Sequence, residues 1–169
     1  EGIELRSSSL ECPILVLGNL INKNELAACL KWNLMPTISD IRETLICEEL
    51  AKESNLKFEI QVKLDTGMTR LGCELKEAHK LINFINDSQG LVLKGVYSHL
   101  ALADKENDVD SLSFTRLQKE RFNSIISQFD VKNIDFHLAN SAGTILDDTF
   151  HYNMVRVGLA IYGYNPIKN

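Results

Sequence analysis

The chain alternates short apolar runs with longer segments of helical periodicity, and this alternation limits the folds that it can adopt. Several of the runs are apolar at nearly every position, which indicates burial on both faces. The six runs are residues 13–17, 35–39, 58–64, 91–98, 134–138 and 154–161. Parallel strands need crossover helices between them, so the pattern predicts an α/β fold in which helices cover a parallel sheet.

Three segments between the runs place their apolar residues on one helical face. The first two begin near Ile41 and Leu75. Asp40 stands directly before the first segment, and Asp110 or Ser111 before the third, where a side-chain oxygen can cap the free amides of a helix. The predicted buried face of the third helix consists of Phe114, Leu117, Phe122, Ile125, Ile126 and Phe129.

No linker rich in glycine, serine or proline interrupts the alternation, so residues 1–169 are predicted to form one domain. A complete (β/α)8 barrel usually needs about 250 residues, whereas this chain supplies about six βα units. Its opening residues, from Glu1 to Arg6, have the character of the middle of a helix. We therefore predict an incomplete TIM-type (β/α)8 barrel.

Charge and cysteine content argue against several kinds of partner. The net charge is −5 and no basic stretch is concentrated, so neither nucleic acid nor an anionic membrane is expected as a partner. The cysteines form no C-x-x-C pair, which argues against a zinc knuckle and favours reduced thiols. The sequence contains neither a signal-peptide pattern nor an apolar run long enough to cross a bilayer, so a cytoplasmic location is expected.

Charged side chains occur at the ends of the predicted strands, where ligands bind in parallel α/β folds. Lys63 and Asp65 point to the same side of the third strand, and they could form a buried ion pair and nothing more. Arg70 follows in a loop between glycines. This position is better suited than those of Lys63 and Asp65 to reaching a ligand anion or phenolate.

The segment 140–143, Asn-Ser-Ala-Gly, has the small polar character of a loop that opens a helix. It could be an N-cap or turn, or its amides and hydroxyl could bind an oxyanion. Gly158 interrupts an otherwise apolar run and indicates close approach by another group. That group could be a phosphate or a packed helix.

Arg156 lies within the sixth apolar run, where a guanidinium must meet an acceptor. The acceptor could be Asp65 or Asp104 in a salt bridge, or an atom of a ligand. His99, at a strand end, could be a hydrogen-bonded structural residue or a general base. The sequence does not decide the role of His137.

Four segments, taken together and in this order, resemble the alanine racemase family: residues 62–72, 95–104, 137–143 and 155–163. The specific parts are Lys-x-Asp-Thr-Gly-Met-x-Arg-Leu-Gly and the pair Asn-Ser followed by Val-Arg-x-Gly-x-x-x-Tyr-Gly. The resemblance implies a barrel that binds pyridoxal 5'-phosphate (PLP) at its mouth. It also implies a homodimer in the full-length protein and interconversion of L- and D-alanine for peptidoglycan synthesis.

Carried over to matching positions, Arg70 would contact the phenolic oxygen of PLP, and Lys63, carbamylated in some members, would hold Arg70. Arg156 would face the pyridine nitrogen, with His99 hydrogen-bonded to it. An arginine does not leave a proton on that nitrogen, so the cofactor would be a weaker electron sink, which favours racemisation over transamination. His99 and Arg156 would thus support catalysis.

The resemblance also implies a phosphate site. Ser141 and the backbone amides of Gly158 and Leu159 would bind the phosphate, in keeping with the use of backbone donors at helix starts and glycine turns. Asn140 belongs to the same motif.

The sequence departs from the family pattern in three respects. It contains no match to the family's Schiff-base lysine motif, Lys-Ala-Asn-Ala-Tyr-Gly, which ends the first barrel strand. It contains no match to the catalytic tyrosine, which comes from the C-terminal β-domain of the partner subunit. Thr69 replaces a usual glycine. We therefore expect the first two strands and the C-terminal β-domain to be missing, and the chain alone to be inactive.

Two other interpretations are compatible with the sequence. One is a related PLP enzyme that acts on serine or another amino acid; Arg156 disfavours the barrel decarboxylases, which carry an acidic group there. The other is a non-catalytic barrel module that binds PLP or another phosphate compound.

Overall fold

The computed structural model describes residues 1–129 and 134–167 and contains one parallel sheet. Its strands follow the order β1-β2-β3-β5-β6, and β4 pairs with β3 off this path. The strands are β1 (Leu15–Asn19), β2 (Met35–Ile38), β3 (Phe58–Asp65), β4 (Cys73–Glu74), β5 (Leu91–Tyr97) and β6 (Asp135–His137). All the pairings are parallel, as the alternation predicted.

Helices connect the strands. They are α1 (Gly2–Ser7), α2 (Lys23–Lys31), α3 (Ile41–Ser54), α4 (Leu75–Asp87), α5 (Val109–Ile126) and α6 (Ser141–Leu146), with 3-10 helices at Asp148–Phe150 and Leu159–Tyr162. Asp40 caps α3 in a reciprocal capping box with Glu43, which confirms the predicted start of that helix. None of the helices in the described ranges is long and apolar enough to cross a membrane.

The central strand β3 is buried on both faces, as its apolar run predicted. Five successive residues, from Ile60 to Leu64, are buried, although side chains alternate between the two faces of a strand. One face packs under the helices, and the other faces the interior of the partial barrel. Gln61 and Lys63 are the polar residues of this buried stretch, so β3 carries functional groups into the interior.

The sixth predicted strand is wrong. Residues 154–157 belong to no strand, and from Leu159 the chain forms a 3-10 helix. The Arg156 N–H donates to the carbonyl of Ala139 at 3.0 Å. Ala139 lies beyond the end of β6 at His137, so the segment passes the strand end instead of pairing along it. The sixth strand of the sheet is the two-residue β4.

The predicted buried face of α5 is also partly wrong. Leu117 is 37% exposed, whereas the buried positions are Ser111, Thr115, Gln118, Phe122 and Ile125. These positions alternate spacings of four and three residues, so they form one continuous stripe. Its amino-terminal half is polar because it packs against the loops at the strand ends, which present backbone carbonyls and amides.

The N-cap of α5 is Asp108, not Asp110 or Ser111. The Asp108 carboxylate accepts the N–H of Ser111 at 3.1 Å, which satisfies an amide that has no partner inside the helix. Three candidate caps within four residues cannot be ranked by residue type, because aspartate and serine are both favoured at this position.

Replacing the cap tests this assignment. We expect Asp108→Ala to lower the melting temperature by about 2–4 °C, because an amide of the first turn of α5 loses its acceptor. Asp110→Ala, the matched control, should leave the melting temperature nearly unchanged. Thermal unfolding followed by circular dichroism measures both. A larger loss for Asp110→Ala would contradict the assignment.

Candidate functional site

The carboxyl ends of three neighbouring strands place one side chain each in the same row. Lys63 on β3 is in register with Tyr97 on β5, and Tyr97 is in register with His137 on β6. The row therefore points to one side of the sheet, at the edge where the loops to Arg70, His99 and Ser141 begin. These loops and the segment with Arg156 together form the candidate site.

Arg156 is half-buried and is held by backbone carbonyls. Its Nη1 and Nη2 donate to the carbonyls of His137 at 3.0 Å, Ser98 at 2.5 Å and Leu138 at 3.4 Å. The Arg156 side chain makes no salt bridge to Asp65 or Asp104, so that alternative is wrong. Desolvation lowers the pKa of Arg156 to about 10, so the group is still a cation at pH 7, and no carboxylate of the described residues pairs with it.

His137, whose role the sequence did not decide, orients Arg156. Its Nδ1 lies 2.5 Å from Arg156 Nη1 and must accept, because a guanidinium only donates. Its Nε2–H then donates to Gln61 Oε1 at 2.8 Å. The ring stacks on Tyr97 at 4.6 Å, and burial together with the nearby Arg156 charge lowers the pKa of His137 to about 3. His137 is therefore a neutral acceptor at pH 7.

Gly95 makes this arrangement possible. A Cβ at Gly95 would lie 2.7 Å from Gln61 Cδ, so any other residue would displace the carboxamide that reaches His137. Tyr97 is fixed at its hydroxyl end by strand β2. Its hydroxyl lies 2.7 Å from Thr37 Oγ1, which itself donates to the carbonyl of Val16. The side chains that position Arg156 thus come from four strands: β2, β3, β5 and β6.

His99 lies on the other side of Arg156. Its Nδ1 is 3.5 Å from Arg156 Nη2, and its Nε2 is 3.4 Å from Asn140 Nδ2. Both neighbours are donors, but a neutral imidazole can accept at only one nitrogen. Desolvation, followed by the charges of Arg156, Lys63 and Arg70, lowers the pKa of His99 to about 4. His99 is therefore also neutral at pH 7.

Lys63 forms no ion pair with Asp65, so that interpretation is wrong as well. The Asp65 carboxylate accepts the N–H groups of Gly67 at 2.9 Å and Thr69 at 3.0 Å, which shapes the loop that carries Arg70. The Lys63 amine lies 5.8 Å from the centre of the Tyr97 ring. Burial lowers the pKa of Lys63, and so do the charges of Arg70 and Arg156.

The loop 66–70 leaves Arg70 exposed, without a hydrogen bond to other described residues. The charges of Arg70 and Arg156 lower the pKa of Lys63, and all three charges lower the pKa of His99, so three cations converge at this edge. Such a concentration of positive charge favours an anionic ligand.

The segment 140–143 opens α6, and Asn140 is its N-cap: its Oδ1 accepts the N–H of Gly143 at 3.0 Å. Ser141 Oγ accepts the N–H groups of Gly158 at 3.0 Å and Ala160 at 3.3 Å. Within the described ranges, the Ser141 O–H and the Leu159 N–H donate to no other group. Both donors are therefore available to a ligand.

Gly158 borders open space, because a Cβ at this position would meet no atom within 4 Å. A packed helix therefore does not explain this glycine. The space lies beside Ser141, since the Gly158 N–H bonds to that hydroxyl. The donors next to it, the Ser141 O–H and the Leu159 N–H, suit an anion with several acceptor oxygens, such as a phosphate.

The strand order, the row of side chains and the cationic edge define a partial α/β barrel with a candidate anion site at its carboxyl face. Residues 1–166 match the family model "Alanine racemase, N-terminal domain". The chain belongs to this family, which confirms the resemblance seen in the sequence.

Three comparisons give the extent of the similarity. The chain is 51% identical over its whole length to an alanine racemase of Prochlorococcus marinus, and 37% identical over 98% of its length to one of Synechocystis. It spans 44% of the length of each of these relatives. The structure of an alanine racemase from Clostridium difficile superposes on 98% of this chain and 43% of its own, with a TM-score of 0.87 and 28% identity.

Thr69 provides a stability test in the loop that carries Arg70. Its φ of 54° lies in the left-handed region, which is unfavourable for a β-branched residue. We expect Thr69→Gly to raise the free energy of unfolding by about 1 kcal/mol. Thr149→Gly, at an exposed position without positive φ, is the control and should lower it by about 0.5–1 kcal/mol. Urea titration decides; a loss of stability in Thr69→Gly would argue against the strained conformation.

The two neutral histidines predict how stability depends on pH. Their folded pKa values, about 4 and 3, lie below the unfolded value of about 6.5, so the unfolded state binds more protons as pH falls below 6.5. Stability should therefore decrease from pH 6.5 to 5, by up to about 1.4 kcal/mol per pH unit for each histidine. His137→Gln should reduce this slope by about half. Urea titrations at several pH values test this, and an unchanged slope would contradict it.

Proposed function

We propose that the protein to which this chain belongs is a PLP-dependent racemase that interconverts L- and D-alanine, and that the described residues form most of its cofactor cradle. The observation that carries the proposal is Arg156. This guanidinium is oriented by three carbonyls and two neutral histidines, and it pairs with no carboxylate in residues 1–129 and 134–167. Such an arrangement leaves the cation available for a ligand.

The unused donor of Arg156 fits the pyridine ring of PLP. Within the described ranges, the Arg156 Nε–H makes no hydrogen bond, whereas Nη1 and Nη2 are engaged. A donor that cannot lose its proton suits an unprotonated ring nitrogen, which accepts a hydrogen bond. The buried row that holds Arg156 would keep this donor in place.

The opposite end of the cradle fits the phosphate. The Ser141 O–H and the Leu159 N–H would donate to phosphate oxygens, and the space beside Gly158 would accommodate them. The Gly158 N–H, which donates to Ser141 Oγ, would orient that hydroxyl instead of binding the phosphate directly. Asn140 would support the site by starting α6 rather than by contacting the cofactor.

When bound, PLP withdraws electrons from Cα of an amino acid and so makes its proton easier to remove. The residues of this chain would set the strength of that effect. Arg156 stays protonated and gives no proton to the ring nitrogen, which limits electron withdrawal and favours return of the proton to Cα. The positive charges of Arg70 and Lys63 would attract the phenolic oxygen of PLP.

The substrate and the cellular context are part of the same proposal. The family assignment supports a small amino acid, and the relatives' names support alanine over serine. A homodimer, a cytoplasmic location and a role in supplying D-alanine for peptidoglycan follow from the resemblance. The Schiff-base lysine and the opposing tyrosine have no counterpart in this sequence, so we expect the chain alone to bind PLP without racemising alanine.

Absorbance titration of the chain with PLP tests the cradle. We expect saturable binding that borohydride does not convert into a covalent adduct, because the cradle would hold the cofactor without the missing lysine. Circular dichroism should first show that the sample is folded. A folded chain that binds no PLP would contradict the proposal for these residues.

The phosphate site has a matched pair of variants. Gly158→Ala should weaken PLP binding at least about 10-fold, because its methyl group would fill the space assigned to the phosphate and displace an engaged donor. Gly18→Ala, whose Cβ would also meet no atom within 4 Å, is the control and should bind PLP like the parent. Neither variant should change the melting temperature much. Equal affinities for the two variants would refute the phosphate placement.

A further inference from the structure

Gln118 is fully buried on the polar part of the α5 stripe, yet its side chain forms hydrogen bonds with residues outside α5. Its Oε1 accepts the N–H of Ala101 at 2.9 Å. Its Nε2 donates to the carbonyl of His99 at 3.0 Å and to Thr66 Oγ1 at 3.1 Å. Both amide protons are therefore used, and each of the three bonds reaches a loop at the carboxyl edge of the sheet.

The bond to Thr66 begins a chain of hydroxyl groups with a defined direction. Ser98 Oγ donates to the carbonyl of Leu64 at 2.7 Å, so it must accept from Thr66 Oγ1 at 2.8 Å. Thr66 Oγ1 in turn accepts from Gln118. Each hydroxyl proton then has one acceptor, and the carbonyl of Ser98 remains free to accept from Arg156.

These bonds join two loops that carry different parts of the candidate site. Thr66 begins the loop that ends at Arg70, whereas Gln118 holds the main chain on both sides of Leu100, at His99 and Ala101. One turn further along α5, Arg121 donates to the carbonyl of Thr66 at 2.9 Å. The helix thus sets the distance between the two loops.

We propose that Gln118 is a positioning residue, which holds the imidazole of His99 against Arg156 and keeps the Arg70 loop in register with it. It acts through the main chain and through Thr66, and it contacts neither cofactor nor substrate. The geometry of the two loops carries this inference; its relevance to PLP rests on the proposed function.

A purely structural role would make Gln118 important for stability but not for the environment of His99. The two roles differ because the His99 ring faces charges from several elements: Arg156 beyond β6, Lys63 on β3 and Arg70 in the 66–70 loop. If the main chain at His99 is released, the ring can move away from these cations and gain solvent. Its pKa would then rise from about 4 toward the ordinary value.

The test is Gln118→Met, an apolar replacement of similar length, in the whole chain without PLP. Imidazole resonances followed by NMR as a function of pH report both His99 and His137. We expect the His99 pKa to rise by about one unit, and the His137 pKa to stay, because Gln61 and Arg156 hold that ring. Thr115→Val is the matched control, since it removes a buried hydroxyl from the same stripe that bonds only within α5; it should leave both values unchanged.

An unchanged His99 pKa in folded Gln118→Met overturns the inference, and so does an equal shift in Thr115→Val or at His137. Gln118→Asn, whose amide is one methylene shorter, is judged by the same criterion if the methionine variant does not fold. PLP titration of the parent chain is a separate measurement. If the parent chain binds no PLP, the proposed function is contradicted. The histidine titration would still decide whether Gln118 positions His99.

Discussion

The organisation of the candidate site depends on how one cation, Arg156, is held by neutral groups, with no carboxylate among the residues that the structure describes. A half-buried guanidinium needs acceptors for the donors that it turns away from water, and here three backbone carbonyls and the neutral His137 supply them. An acidic partner would neutralise the charge and leave nothing for a ligand. Neutral acceptors satisfy the geometry and leave the charge in place.

This arrangement requires the rest of the barrel segment to be rigid. His137 can accept from Arg156 only if its other nitrogen donates, and that donation goes to Gln61 across the space left by Gly95. Tyr97 stacks on the same ring and is itself bonded to Thr37 on β2. The orientation of one arginine is therefore transmitted through β2, β3, β5 and β6. On the outer side, α5 positions the loops at the strand ends, because Gln118 and Arg121 donate to the carbonyls of His99 and Thr66.

Much of this architecture could be predicted from the sequence, and the failures share a cause. Five of the six strands and the start of α3 follow from apolar runs and a capping residue, which are local signals. The ion pairs with Asp65 that the sequence allowed for Lys63 and Arg156 do not form, because Asp65 turns to the backbone amides of its own loop. The run 154–161 has strand composition, but composition does not reveal whether a neighbouring strand extends far enough to pair with it.

The sequence by itself determined the parallel α/β class, the strands with two buried faces and the residue types at the strand ends, because periodicity and motif spacing are carried within single segments. Only the tertiary structure decided that Lys63, Tyr97 and His137 form one row, since register is set between strands far apart in the chain. It alone decided the partners of Arg156 and the role of Gln118. Their bonds end largely on main-chain groups, which every residue possesses, and such groups leave no mark in an amino-acid sequence.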